Sequence, residues 1–239
     1  MPDNYEFFDF PSEYDDELIA AGGTLEPEML LSAYSHGIFP WFTDDSEPVL
    51  WWSLNPRFVL FPQRIHVSSS LKKKIKKNPY TLTLDKNFPE VITACSEVPR
   101  PEQDGTWITE NMKSAYINLH ELGYAHSVEA WENGTLAGGL YGVSLGGCFF
   151  GESMFAKKPD ASKICFVALS GVLADNNFGL IDAQQHTEHL ERFGAMDMPR
   201  SVYIERLEKE LEKDSVKGGW DRLFPGFPES EFWKKLNGR

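Results

Sequence analysis

Two glycine turns followed by one apolar helix constrain this chain more than any other feature of it. Between residues 126 and 155, three apolar stretches are separated only by Asn133-Gly134 and Gly146-Gly147, dipeptides suited to the tight turns of β-hairpins. The spacing predicts an antiparallel meander with strands over 126–131, 136–145 and 148–155. The following stretch, 162–176, is apolar on most sides, as a buried helix is, and Asp160 can cap it. Residues 180–184 then read as a short strand. Strand, crossover helix and strand make a βαβ unit, which requires a parallel pair, so the chain needs one mixed sheet. The expected class is α+β.

Around this centre the pattern alternates between strands and helices. Residues 58–61 and 80–84 read as strands, and 67–77 as a basic helix stopped by Asn78-Pro79. Residues 88–95 look helical. The 109–122 stretch is amphipathic, with Met112, Ala115, Tyr116, Leu119 and Leu122 on one face and Gly123 at its end. Short helices are expected at 188–193 and 202–212. The tail from Lys217 is rich in Gly, Pro and aromatics expected to be exposed, and reads as having no fold of its own. Toward the N-terminus, a helix is expected over 25–36, capped by Thr24 and ended by Gly37. An aromatic string, Ile38-Phe39-Pro40-Trp41-Phe42, and then Val49-Leu50-Trp51-Trp52 follow it. These features divide the chain into a small N-terminal domain over 1–60 and a larger one over 61–239.

Charge is distributed along the same division. Residues 1–56 carry no lysine or arginine and twelve Asp or Glu, so nearly all of the net charge of −13 sits there. The remainder is balanced, and its lysines concentrate at Lys72, Lys73, Lys74, Lys76 and Lys77. Lys72, Lys73, Lys76 and Lys77 recur at helical spacing, as a face contacting backbone phosphates would. The N-terminal sequence has no signal-peptide pattern, and no apolar stretch is long enough to cross a bilayer. Cys95, Cys148 and Cys165 form no CxxC pair, which suits reduced thiols in the cytoplasm.

Two places carry candidate chemistry. Asp182 and Gln184 lie two apart on the expected last strand, a spacing that puts both on one face, where the aspartate can orient the amide. Glu152 sits within Phe149-Phe150-Gly151-Glu152-Ser153-Met154-Phe155, so apolar a segment that its carboxylate must be paired, protonated or in a cleft. His186-Thr187-Glu188-His189 matches neither zinc pattern built on paired histidines, and no phosphate-binding glycine loop is present. No metal or cofactor is expected.

Several of these segments together carry a family resemblance. Ala21-Gly22-Gly23-Thr24-Leu25, the run from Tyr34 to Phe42, Leu50-Trp51-Trp52-Ser53, Gly105-Thr106-Trp107-Ile108-Thr109, Ala125-His126-Ser127-Val128-Glu129, Gly138-Gly139-Leu140-Tyr141-Gly142-Val143, Phe150-Gly151-Glu152-Ser153-Met154-Phe155 and Leu180-Ile181-Asp182 with Gln184 resemble the leucyl/phenylalanyl-tRNA–protein transferases. Ala183 stands where that family often has Cys, and Leu54-Asn55 where Pro-Asp is usual. The resemblance implies a small N-terminal domain followed by a GNAT-like domain, shaped like the acetyltransferase superfamily. It implies transfer of Leu or Phe, less readily Met, from aminoacyl-tRNA to proteins with an N-terminal Arg or Lys, which marks them for degradation. It further implies Asp182 and Gln184 as catalytic, and Trp41, Tyr34, Trp107, Tyr116 and Glu152 as substrate-binding. Leu140, Phe149, Phe166 and Ile181 would form the aminoacyl side-chain pocket. The basic helix would contact tRNA, and the expected assembly is a monomer.

Overall fold

A computed structural model describes residues 15–98 and 107–237. Gly105 and Thr106 of the tryptophan-bearing motif, and the first fourteen residues, lie outside the described residues.

The N-terminal part forms a three-stranded antiparallel sheet from β1 (Leu18–Ala21), β2 (Phe39–Pro40) and β3 (Leu50–Trp52), in the order β1-β3-β2, beside helix α1 (Pro27–Ser35). Glu26, not Thr24, occupies the cap position of α1, with Pro27 at its first turn. Indole N–H groups pin the loops of this small unit. Trp51 Nε1 donates to Gly22 O at 2.8 Å and Trp52 Nε1 to Trp41 O at 2.9 Å.

The larger part is a seven-stranded mixed sheet. In chain order it contains β4 (Arg57–Leu60), α2 (Ser69–Lys76), β5 (Thr81–Leu84), α3 (Phe88–Ser96), α4 (Glu110–Glu121), β6 (Ala125–Glu132), β7 (Thr135–Leu145), β8 (Cys148–Ala156), α5 (Ala161–Asp175), β9 (Leu180–Gln184), α6 (Glu188–Glu191), β10 (Met196–Met198), α7 (Arg200–Leu211), α8 (Trp220–Leu223) and α9 (Glu231–Asn237). The spatial order is β10-β4-β9-β8-β7-β6-β5. The meander and the βαβ unit stand where the glycine turns and the apolar helix place them. β6, β7 and β8 pair antiparallel, and β8 and β9 pair in parallel. β4 already belongs to this sheet, so the small sheet ends at Trp52.

Strand alternation sends neighbouring residues to opposite faces. Leu140, Phe149 and Ile181 pack with α2, α5 and the C-terminal helices on one side. Tyr141, Phe150 and Leu180 pack with α1, α3 and α4 on the other. The C-terminal tail corrects the sequence expectation. Trp220 is fully buried and Trp233 nearly so, because α8 and α9 wrap the α5 side of the sheet.

The acidic N-terminal part is tied on by two arginines from outside it. Arg200 donates to Asp16 O, Ser53 O and Asp15 O at 2.9, 2.7 and 3.0 Å. Arg57 stacks its guanidinium 4.8 Å from the ring centroids of both Phe39 and Tyr203. Among the described residues no helix is long and apolar enough to cross a membrane, and no group of three or more His, Cys, Asp or Glu could hold a metal ion.

Candidate active site

Two local breaks in the sheet create the site. Along β7 and β8, Tyr141 pairs with Ser153 but Gly142 with Gly151, leaving Glu152 as an extra residue. That is a β-bulge, which bends a strand and re-aims the inserted side chain. Along β4 and β9, Phe58 pairs with Gln184 but Val59 with Asp182, so Ala183 is passed over. Gln184 itself adopts φ +60°, the left-handed region a non-glycine residue enters only where its surroundings hold it there. The parallel pairing of β8 and β9 stops at Phe150 and Asp182, and beyond it the strands part. Across the gap Gln184 Nε2 donates to Glu152 Oε1 at 2.8 Å.

Glu152 is surrounded by donors. Tyr34 OH donates to its Oε1 at 2.8 Å and Tyr116 OH to its Oε2 at 3.1 Å. The two tyrosine hydroxyls also lie in hydrogen-bond contact, so whichever of them turns its single proton to the other gives up its bond to Glu152. Burial pushes the Glu152 carboxyl up to about 7, while the hydrogen bonds from Tyr34, Tyr116 and Gln184 pull it down. Glu152 can therefore gain and lose a proton near neutrality. Burial and the neighbouring Glu152 charge also drive the Tyr34 and Tyr116 phenols up, well above their ordinary range, so they stay protonated.

Asp182 is bound quite differently. Arg57 Nε donates to Oδ1 at 2.8 Å and Nη2 to Oδ2 at 2.7 Å, a bidentate pair with both side chains fully buried. Tyr203 OH donates to Oδ2 at 2.7 Å, and the backbone N–H of Gln184 to Oδ1 at 2.9 Å. Burial works against the Arg57 charge, but Asp182 holds the guanidinium above its ordinary pKa. The same-face expectation for Asp182 and Gln184 is thereby corrected. The left-handed turn at Gln184 swings its side chain to the cavity, while Asp182 stays in the core and reaches Gln184 only through the backbone.

The cavity at the parted strands measures about 350 Å³. Leu140, Phe149, Phe166 and Ile181 all line it, together with Leu169, so the four residues expected to share an apolar pocket are brought together. Trp41, Trp107 and Phe39 line it too, as do Glu152 and Gln184. Tyr34 and Tyr116, expected among substrate-contacting residues, lie fully buried outside the lining and reach the cavity only through Glu152. Lys72, Lys73, Lys76 and Lys77 lie apart on the exposed face of α2, whose inner face is Leu71 and Ile75. Lys74 of the same helix pairs with Asp160 at the head of α5, the helix that supplies Phe166 and Leu169 to the cavity.

Sequence reasoning missed Arg57 and Tyr203. Arg57 carried a signal, being the first basic residue after a long acidic segment and the opening residue of an apolar strand. Tyr203 carried none, since it looks like any apolar position of the amphipathic helix α7.

A buried carboxyl that burial raises to about 7 lies on the wall of a cavity lined by five large apolar side chains and two tryptophans, an arrangement suited to an enzyme. The family model described as "Leucyl/phenylalanyl-tRNA protein transferase" matches residues 59–208, and that of its N-terminal domain residues 23–55. Proteins named leucyl/phenylalanyl-tRNA–protein transferase are similar along nearly the whole chain. That of Anaeromyxobacter sp. (strain Fw109-5) is 52% identical, covering 92% of this chain and 94% of its own. That of Myxococcus xanthus (strain DK1622) is 51% identical, covering 90% and 92%. This chain belongs to the leucyl/phenylalanyl-tRNA–protein transferase family. Solved structures are remote: a functionally unknown conserved protein from Staphylococcus epidermidis has TM-score 0.42 and 11% identity over 76% of this chain and 68% of its own, and carries no weight here.

Proposed function

We propose that this chain transfers leucine or phenylalanine, and less readily methionine, from aminoacyl-tRNA to proteins beginning with Arg or Lys. The observation that carries this reading is the cavity itself, with the hydrogen-bonded Glu152 and Gln184 beside Leu140, Phe149, Phe166 and Ile181 on its wall, inside a chain of this family. The apolar wall accounts for the choice of side chain, because the gain scales with buried apolar area. It also accounts for loose discrimination, since each methylene is worth only about 1–3 kcal/mol.

The reaction is aminolysis. The acceptor's α-amine attacks the ester carbonyl, a C–N bond forms, and the bond to the tRNA 3′-oxygen breaks. One proton must leave the amine and one must reach the 3′-oxygen. Glu152 is placed to take the first and return the second. Gln184 has its Nε2 committed to Glu152, which leaves its amide oxygen to accept from the incoming N–H. Asp182 acts on Gln184 by holding its backbone N–H, and so is a positioning residue. Trp41 and Trp107 are assigned to the terminal adenosine and its ester. Ester-to-amide transfer is downhill and needs no cofactor.

Support for an acetyltransferase-like core comes from the splayed β8–β9 pair with a bulge beside it. A CoA pyrophosphate would need a glycine loop at the head of α5, where this chain has Asp160 paired with Lys74 and Lys163. A division between β3 and β4, a few residues before the expected residue 60, and a cytoplasmic monomer complete the reading. The three free, buried thiols suit a reducing setting.

The decisive assay offers tRNA charged with labelled Leu or Phe to a peptide beginning with Arg. Label should enter the peptide, and a peptide beginning with Glu should stay blank. Equal labelling of both, or of neither, would overturn the assignment.

The α2 lysines are assigned to tRNA phosphates, and salt dependence tests this separately. Replacing Lys72, Lys73, Lys76 and Lys77 with Gln should flatten the slope of log affinity against log salt by roughly 3, at about 0.7–0.9 for each of four lost contacts. An unchanged slope by filter binding would remove α2 from the interface.

A further inference from the structure

We propose that Trp220, in the C-terminal arm, sets the depth of the amino-acid pocket by backing the Phe149 ring, and so governs the choice between Leu and Phe. This rests on the transferase reading above. The arm lies beyond the matched residues 59–208, and its function is otherwise unassigned.

The geometry boxes Phe149 in. One side of its ring lines the cavity. Its edge lies against Gly142, where a Cβ would meet ring carbons Cε1 and Cζ at 2.7 Å. Behind it stands Trp220, with ring centroids 5.9 Å apart. Trp220 does not itself line the cavity, so it acts only through Phe149.

Trp220 is in turn fixed on every side. Its indole stacks on His126 at 3.9 Å and 9°, and Phe178 and Phe224 meet it edge-on at 6.0 and 5.4 Å. Its Nε1 donates to Val216 O at 3.1 Å, and its backbone N–H to Asp85 Oδ2 at 2.8 Å. The Asp85 carboxylate also receives Ser127 N at 2.8 Å and pairs with His126 Nδ1 at 2.9 Å. An indole held so firmly is a rigid stop. Removing it leaves a void into which the Phe149 ring can withdraw, and the slot deepens toward the larger substrate.

The test compares wild type, Trp220→Ala, Trp220→Leu and Trp220→Phe in competition between Leu- and Phe-charged tRNA, below each variant's melting temperature. The readout is the ratio of kcat/KM for Phe to that for Leu, which a general loss of folded enzyme does not move. Trp220→Ala, or Trp220→Leu if the alanine variant does not fold, should raise the ratio about fivefold to tenfold. Trp220→Phe, which refills much of the slot, should stay within about twofold of wild type. A ratio unchanged in the Ala and Leu variants, with both rates falling together, would overturn the proposal. Wild type that transfers neither amino acid would instead remove the activity on which it rests.

Discussion

Asp182→Asn should cost about 3–5 kcal/mol of stability, because it leaves the Arg57 guanidinium charged and unpaired in the core. For a chain of this size that lowers the midpoint of thermal unfolding on the order of 10 °C. Arg57→Met should do comparable harm by stranding Asp182. Both side chains are fully buried, and neither has water to fall back on. The double variant Arg57→Met with Asp182→Leu separates stability from function. Replacing the pair by apolar residues removes the stranded charge, so stability should exceed that of either single variant, while the Tyr203 hydroxyl and Gln184 N–H left without an acceptor keep it below wild type. Transfer should stay at least about a hundredfold down, because the Gln184 N–H loses its acceptor and its left-handed turn is no longer held. Urea titration and the transfer assay measure the two effects independently. Recovery of transfer in the double variant would show that Asp182 does not hold Gln184.

Much of this architecture was legible in the chain, because its central signals are local. Asn133-Gly134 and Gly146-Gly147 fix the hairpins by turn chemistry, and the apolar helix over 161–175 buries itself whatever surrounds it. Glu152 stood out as a carboxylate in an apolar strand. What could not be read depended on register between distant segments. The bulge at Glu152 is a mismatch in pairing with β7, and the passing over of Ala183 a mismatch with β4, a strand more than a hundred residues earlier. A period-two reading of Asp182 and Gln184 fails for that reason alone. The left-handed turn reverses the second side chain, and nothing local in Leu180–Gln184 announces it. Trp220 reads as an exposed tail aromatic because the site that buries it is built by His126 of β6, Phe149 of β8 and Phe178 of the α5–β9 loop. Arg57 was visible as an isolated charge, but its partner lies 125 positions away.

Glu152→Gln should give an enzyme that is nearly dead and whose stability gains on that of wild type as pH rises from 4.5 to 7. The stability half follows from linkage. Burial raises the folded-state pKa of Glu152 to about 7 from an ordinary 4.5, so the native state binds this proton more tightly than the unfolded chain. The ionised carboxylate therefore costs stability that is absent below pH 4.5, grows between 4.5 and 7, and levels off above 7 at roughly 3 kcal/mol. A neutral amide avoids this cost, and the gain over wild type should vanish in acid. The activity half follows from what surrounds the group. Tyr34, Tyr116 and Gln184 all donate to Glu152, and an amide there presents two hydrogens of its own to a shell of donors. Gln184 must then turn, and the proton acceptor is gone. A positioned base is worth about a hundredfold to ten-thousandfold, so kcat should fall by that order. In wild type, kcat at saturating acceptor should rise with pH through a group near 7, as Glu152 ionises. In Glu152→Gln that limb should disappear, leaving only the titration of the acceptor amine at about 8. A wild-type profile flat from pH 6 to 8, or a Glu152→Gln profile that keeps the limb near 7, would move proton transfer to another group.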